Sequence, residues 1–202
     1  MYKFLGKTRW VHKFLANADK MYEGNNPPVE VLYCYGVYQD LYTLMAKTIR
    51  NIRFHSGLPT AETLKKLMTK EHKILVIDDL QRKAVEDPTV ELIFTQFCHH
   101  GNLSCIFLSQ NLFMQGTYAR TINLIAWYLV LLENVRDKKQ VGVLASQMYP
   151  KKSEILLEAY EDATEDDWGY LFVDTSPGVR RNLRLRTNVF PGDRMIAYTP
   201  NR

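Results

Sequence analysis

Cysteine is scarce in this chain: three among 202 residues, at Cys34, Cys98 and Cys105, with no two spaced as a CxxC pair. That odd, unpaired set favours a reduced, intracellular compartment, not a secreted one. Long apolar runs are missing as well. The longest, Leu124 to Leu132, is too short to span a bilayer, and Met1 to Leu15 has no apolar core of a signal peptide. Repeats, low-complexity tracts and linker-like stretches are also absent, which points to a single domain over residues 1–202. What is present is globular in composition, 46% hydrophobic and 24% charged. A net charge of +4 permits an acidic partner without requiring one.

The chain is organised around Lys73-Ile74-Leu75-Val76-Ile77-Asp78-Asp79-Leu80. Four consecutive aliphatic residues predict a strand buried on both faces of a parallel sheet. Ligands of open α/β sheets bind beyond the carboxyl ends of the strands, where Asp78 and Asp79 fall. An apolar strand ending in two acids is the Walker B pattern. Its first acid, Asp78, would hold Mg²⁺, and its second, Asp79, would orient the attacking water. An ordinary buried strand followed by an acidic turn has the same sequence.

Gly6-Lys7-Thr8 precedes a helical pattern of Trp10, Val11, Phe14, Leu15, Ala18 and Tyr22. A GKT at a helix start is the closing part of a phosphate-binding loop. The Lys reaches the β/γ-phosphates of ATP and the Thr hydroxyl joins the Mg²⁺ shell. The full pattern GxxxxGK[ST] needs a glycine where Met1 stands.

Between these motifs, strands are expected over Val29–Tyr35 and Ile52–His55. A helix runs through Leu41, Leu44 and Met45, and another follows the N-cap Thr60. The alternation implies a doubly wound α/β fold with right-handed crossovers. Asp87-Pro88 starts a helix carrying Val90, Ile93, Phe94 and Phe97, which Gly101 ends. Cys98, His99 and His100 are helical neighbours diverging by about 100° each, so they are not expected to share a metal ion.

The next strand, Leu103–Leu108, runs into Ser109-Gln110-Asn111. Gln110 and Asn111 suit a sensor of the γ-phosphate, or simply a polar loop. Arg120 precedes a strand over Ala126–Leu132, and Arg136 follows it. Either is a candidate finger on transition-state charge, or a surface ion pair. Asp137 is expected to cap a helix with Val141, Leu144, Ala145 and Met148 on one face. A second helix from Ser153 and a strand over Gly169–Val173 come next. The tail Arg180-Arg181-Asn182-Leu183-Arg184-Leu185-Arg186 alternates like a strand. Its arginines Arg180, Arg181, Arg184 and Arg186 form a basic face for nucleic-acid phosphates, or a solvated edge defended by charge.

The ordered blocks GKT, VLYCYG, RFHSGLP, ILVIDDL, FTQFCHHGNLSCIFLSQNLFMQG, RTINLIAWYLVLLENVRDKKQV, LASQMYP, GYLFVD and LRLRTNVFPGD cover nearly the whole chain. This set resembles the virion DNA-packaging ATPases of the FtsK–HerA superfamily. Within it, the set is most similar to the poxvirus-type enzymes of Polinton (Maverick) transposons and adinto-like viruses. The resemblance implies an additional-strand P-loop fold, α/β with a mainly parallel central sheet flanked by helices. It also implies a homo-oligomeric ring that couples Mg²⁺-ATP hydrolysis to movement of double-stranded DNA into a capsid. The compartment would be the host nucleus or cytoplasm, or the virion, with capsid proteins as partners and no membrane.

By position, Gly6, Lys7 and Thr8 match Walker A, and Asp78 and Asp79 match Walker B. Gln110 and Asn111 match the sensor, and Arg120 and Arg136 match candidate finger positions. The family carries a strand and Gly-rich loop ahead of GKT. Met1 to Leu5 stand in their place, as expected of a truncated gene model or a decayed genomic copy. Two alternatives follow. One is an inactive remnant keeping the fold or weak DNA binding. The other is a small-molecule kinase, for which an arginine-rich lid is lacking.

Overall fold

The computed structural model describes residues 5–22, 26–98 and 101–199, apart from the side chain of Leu5. The chain gathers into two compact units, Met1–Ile125 and Ala126–Arg202. Among the described residues each unit has its own sheet, and no strand is shared between the two.

In chain order the first unit comprises α1 (Leu5–Ala16), α2 (Ala18–Met21), β1 (Glu30–Tyr35), α3 (Asp40–Thr48), β2 (Ile52–Ser56) and α4 (Ala61–Leu67). Then follow β3 (Lys73–Asp78), α5 (Gln81–Ala84), α6 (Pro88–Leu92), β4 (Leu103–Phe107) and α7 (Ala119–Ile125). The sheet is wholly parallel in the order β2-β1-β3-β4. The chain leaves β1 on one side to form β2 and returns on the other to form β3, so the strand order reverses at β1. Such reversals open a crevice at the carboxyl ends of the strands.

Every residue of β3 is buried, as its unbroken aliphatic run requires of a strand covered on both faces. Side chains alternate across the pleat. Ile74 and Val76 therefore join Val31 and Tyr33 beneath α1 and α3. Leu75 and Ile77 join Leu32 and Cys34 in a second core against α4, α6 and α7. Each fully buried aliphatic side chain here contributes about 1.5–3 kcal/mol. Asp78, two residues beyond Val76, inherits the face of α1 and α3.

Two expected caps are formed. Thr60 Oγ1 accepts the Thr63 N–H at 3.2 Å. Asp87 Oδ1 accepts the Thr89 N–H at 2.8 Å, with Pro88 at the first helical position. The continuous helix expected beyond Pro88 instead widens into a π-helical turn over Ile93–Phe97. The wider turn places both Ile93 and Phe94 in the core.

The second unit holds β5 (Tyr128–Leu132), α8 (Lys139–Met148), α9 (Glu154–Ala163), β6 (Tyr170–Asp174), β7 (Leu185–Thr187) and β8 (Ile196–Tyr198). Its sheet is antiparallel throughout, in the order β5-β6-β7-β8. The parallel character expected of the sheet thus belongs to the first unit alone. The N-cap of α8 is Lys138, not Asp137, whose carboxylate instead accepts Gln140 Nε2 at 2.5 Å. Among the described residues no helix is long and apolar enough to cross a membrane.

Candidate functional site

Asp78 ends β3 on the face covered by α1 and α3, and it is only 5% exposed. Burying a carboxylate is costly unless hydrogen bonds replace its water. Three side chains supply them, all to one oxygen. The hydroxyls of Tyr33, Tyr42 and Thr8 donate to Asp78 Oδ2 at 2.7, 3.0 and 3.3 Å. They come from β1, α3 and α1 in turn, so three elements converge on one atom. Burial first, and then the neighbouring carboxylate, pushes both phenols far above their ordinary range, so both remain protonated donors. Among the described residues the second oxygen, Oδ1, has no side-chain donor.

Gly6, Lys7 and Thr8 lie in the first turn of α1, and residues 1–4 fall outside the described residues. Burial lowers the pKa of the Lys7 ammonium, while the charges of Asp78 and then Asp79 oppose the shift. The Lys7 ammonium thus lies within electrostatic reach of both acids. Asp79 takes a left-handed conformation, φ +55°, which breaks the strand alternation and leaves it exposed. The adjacent acids thus part: Asp78 inward among hydroxyls, Asp79 outward. Gly36, after β1, donates its N–H to Asp78 O at 3.0 Å. A Cβ on Gly36 would stand 2.2 Å from Asp79 O, so glycine is required there by close approach, not by φ.

At the end of β4, Gln81 Oε1 accepts both the Ser109 hydroxyl and the Gln110 N–H at 3.0 Å. Ser109 Oγ in turn accepts the Asn111 N–H at 3.1 Å. The amide side chains of Gln110 and Asn111 are exposed, on a loop tied to the helix that follows Asp79. Arg120 is exposed on α7.

The remaining candidates belong to the second unit. Arg136 is exposed in the turn after β5, its N–H bonded to Asn134 Oδ1 at 3.2 Å. The basic tail is not one strand. Arg181–Leu183 form a 3₁₀ turn, and only Leu185–Thr187 pair in the sheet. Arg186 Nη2 bonds Asp174 Oδ2 at 2.6 Å and its guanidinium lies 5.2 Å above the Phe172 ring. Arg184 is half-buried near Tyr149, whereas Arg180 and Arg181 are exposed. The four arginines therefore do not share one basic face, because one of them is committed to an internal ion pair.

His99 and His100 lie outside the described residues, among which no group of three or more His, Cys, Asp or Glu is arranged to hold a metal ion. Burial pushes the Cys34 thiol up to about 12 and the Cys98 thiol up to about 11. Both read as core residues, not nucleophiles.

Comparison with protein-family models, with curated proteins and with solved structures finds no match to any of them. The sequence reading missed Tyr33, Tyr42, Gly36 and Gln81. For Tyr33 the link lies in the register: β1 and β3 run parallel with Tyr33 beside Val76, two residues short of Asp78 on the same face. A tyrosine hydroxyl extends far enough to close that gap.

Proposed function

We propose that the first unit binds and hydrolyses Mg²⁺-ATP as an additional-strand P-loop ATPase of the DNA-packaging type, moving double-stranded DNA. The observation that carries this reading is the meeting of Thr8 with Asp78 at the carboxyl end of β3. These residues are some seventy positions apart in the chain, yet the Thr8 hydroxyl and the Asp78 carboxylate hydrogen-bond.

The residues fit the group they would hold. A hydroxyl and carboxylates are hard oxygen donors of the kind Mg²⁺ takes. One carboxylate and one hydroxyl are too few to enclose the ion, and Mg²⁺ sites of this class are completed by water and substrate phosphates. The bound ion would neutralise charge on the β- and γ-phosphate oxygens. Thr8 and Asp78 would hold it, and Lys7, in the same turn as Thr8, would reach the phosphates. Asp79, exposed beside the buried acid, would orient the attacking water. Gln110 and Asn111 would sense the γ-phosphate from the loop that Gln81 anchors. Arg120 and Arg136 remain the candidate fingers in a ring.

ATP hydrolysis with Mg²⁺ should be measurable and should fall on the order of 100-fold in Lys7→Ala, because a charge preorganised for the transition state is lost. Equal turnover in that variant would sink the assignment. A second reading, a remnant that keeps the fold without turnover, is favoured by the Asp78 Oδ2 atom, already satisfied by three hydroxyls. It predicts no metal-dependent hydrolysis at all.

For DNA, the exposed pair Arg180 and Arg181 replaces the four arginines first considered. A translocase grips backbone phosphates, so Arg180→Gln/Arg181→Gln should weaken binding alike across unrelated duplexes. The slope of log K against log salt should fall by about 2, close to one for each phosphate contact removed. An unaltered slope in filter binding or fluorescence anisotropy would send the DNA path elsewhere.

A further inference from the structure

We propose that Tyr33 and Tyr42 are positioning residues for the cation site. By donating both hydroxyls to Asp78 Oδ2, they hold the carboxylate so that it presents Oδ1 alone to a divalent ion. This deepens the nucleotide reading above and rests on it.

The geometry is specific. Tyr33 and Tyr42 are fully buried, and their rings pack 5.0 Å apart and against Phe54 at 5.3 and 5.2 Å. Phenylalanine would fill those ring positions equally well. The hydroxyls are what packing does not explain, and both are spent on Asp78 at 2.7 and 3.0 Å. A carboxylate free to turn must lose rotamer freedom when it takes an ion, and it alternates between one- and two-oxygen contact. One clamped from β1 and α3, with Thr8 as third donor from α1, has already lost that freedom, so the ion meets a preorganised single oxygen. The tyrosines touch neither ion nor nucleotide in this scheme. They act only through Asp78.

The test uses the whole chain with Mn²⁺ as probe ion and a nonhydrolysable imido analogue of ATP. Ion binding is read by electron paramagnetic resonance and turnover is read separately with Mg²⁺-ATP. Tyr33→Phe and Tyr42→Phe keep the rings. The expected result is a half-saturating Mn²⁺ concentration raised several-fold in each single variant and about 10-fold or more in the double. Analogue binding in the presence of chelator should be unchanged, and in turnover the Mg²⁺ requirement should rise more than kcat falls. Should the double variant fail to fold, the two single variants decide the matter. Folded variants that bind Mn²⁺ as the parent does overturn the inference alone, and leave the tyrosines as core. A parent protein that binds no Mn²⁺–analogue complex, or that binds it no better than Asp78→Asn, overturns the nucleotide reading and this inference with it.

Discussion

Asp78→Asn is expected to lower Mg²⁺-dependent ATP hydrolysis by about 1,000-fold, on the order of 4 kcal/mol of transition-state stabilisation, while the protein stays folded. Asparagine is the informative replacement. Its amide oxygen can still accept from Thr8, Tyr33 and Tyr42, which donate at 3.3, 2.7 and 3.0 Å in the parent. Asp78→Ala would strand three buried hydroxyls, each costing about 1–3 kcal/mol, and loss of activity could then be loss of fold. The asparagine variant keeps the donors satisfied and removes the negative charge. Parallel measurement of turnover and chemical denaturation separates the two effects. Retained hydrolysis in a folded Asp78→Asn protein would remove the acid from the mechanism and the motif assignment with it.

Gly36→Ala is expected to destabilise the first unit by about 3 kcal/mol, the upper end for overpacking. The added methyl would sit 2.2 Å from Asp79 O and 3.1 Å from its carbonyl carbon. Neither is the mobile tip of a side chain, so backbone must give way. What moves is the hydrogen bond from Gly36 N to Asp78 O, at 3.0 Å, and the left-handed turn that sends Asp79 outward. Hydrolysis should fall together with the denaturation midpoint, and more than the folded fraction alone accounts for. An unshifted midpoint would mean that close approach of Asp79 is not what requires glycine at this position.

The parts of this molecule legible in its sequence are those governed by local chemistry. The run Ile74–Ile77 suits a strand covered on both faces, and the core takes it so. Thr60 and Asp87 cap their helices because a side-chain oxygen next to a free N–H needs no tertiary help. The two short motifs brought Lys7, Thr8 and Asp78 into one hypothesis, and of these the fold joins Thr8 to Asp78. What stayed hidden depended on register and on distant partners. Tyrosine in an apolar strand reads as β-propensity and ring packing, so nothing in Tyr33 or Tyr42 announced a bond to an acid more than thirty residues on. Gly36 has an unremarkable φ, and its need for glycine comes from Asp79, just past the end of the neighbouring strand. The alternation of Arg184 and Arg186 looked like a uniform basic face. Asp174, on the neighbouring strand, takes Arg186 out of it. The antiparallel second sheet was equally hidden, since an apolar strand such as Leu129–Leu132 carries no mark of its neighbour's direction.

The convergence of α1, β1 and α3 on a single carboxylate oxygen makes the site a structural joint as well as a candidate chemical one. Occupancy and folding of the first unit are then thermodynamically linked. A ligand that binds the folded form stabilises it by RT ln(1 + [L]/Kd), about 2.7 kcal/mol at a hundredfold excess over Kd. A plain thermal-shift screen of nucleotides and divalent ions would therefore report on ligand choice independently of turnover. A change to any of the three donor-bearing elements should alter ligand preference and heat resistance together.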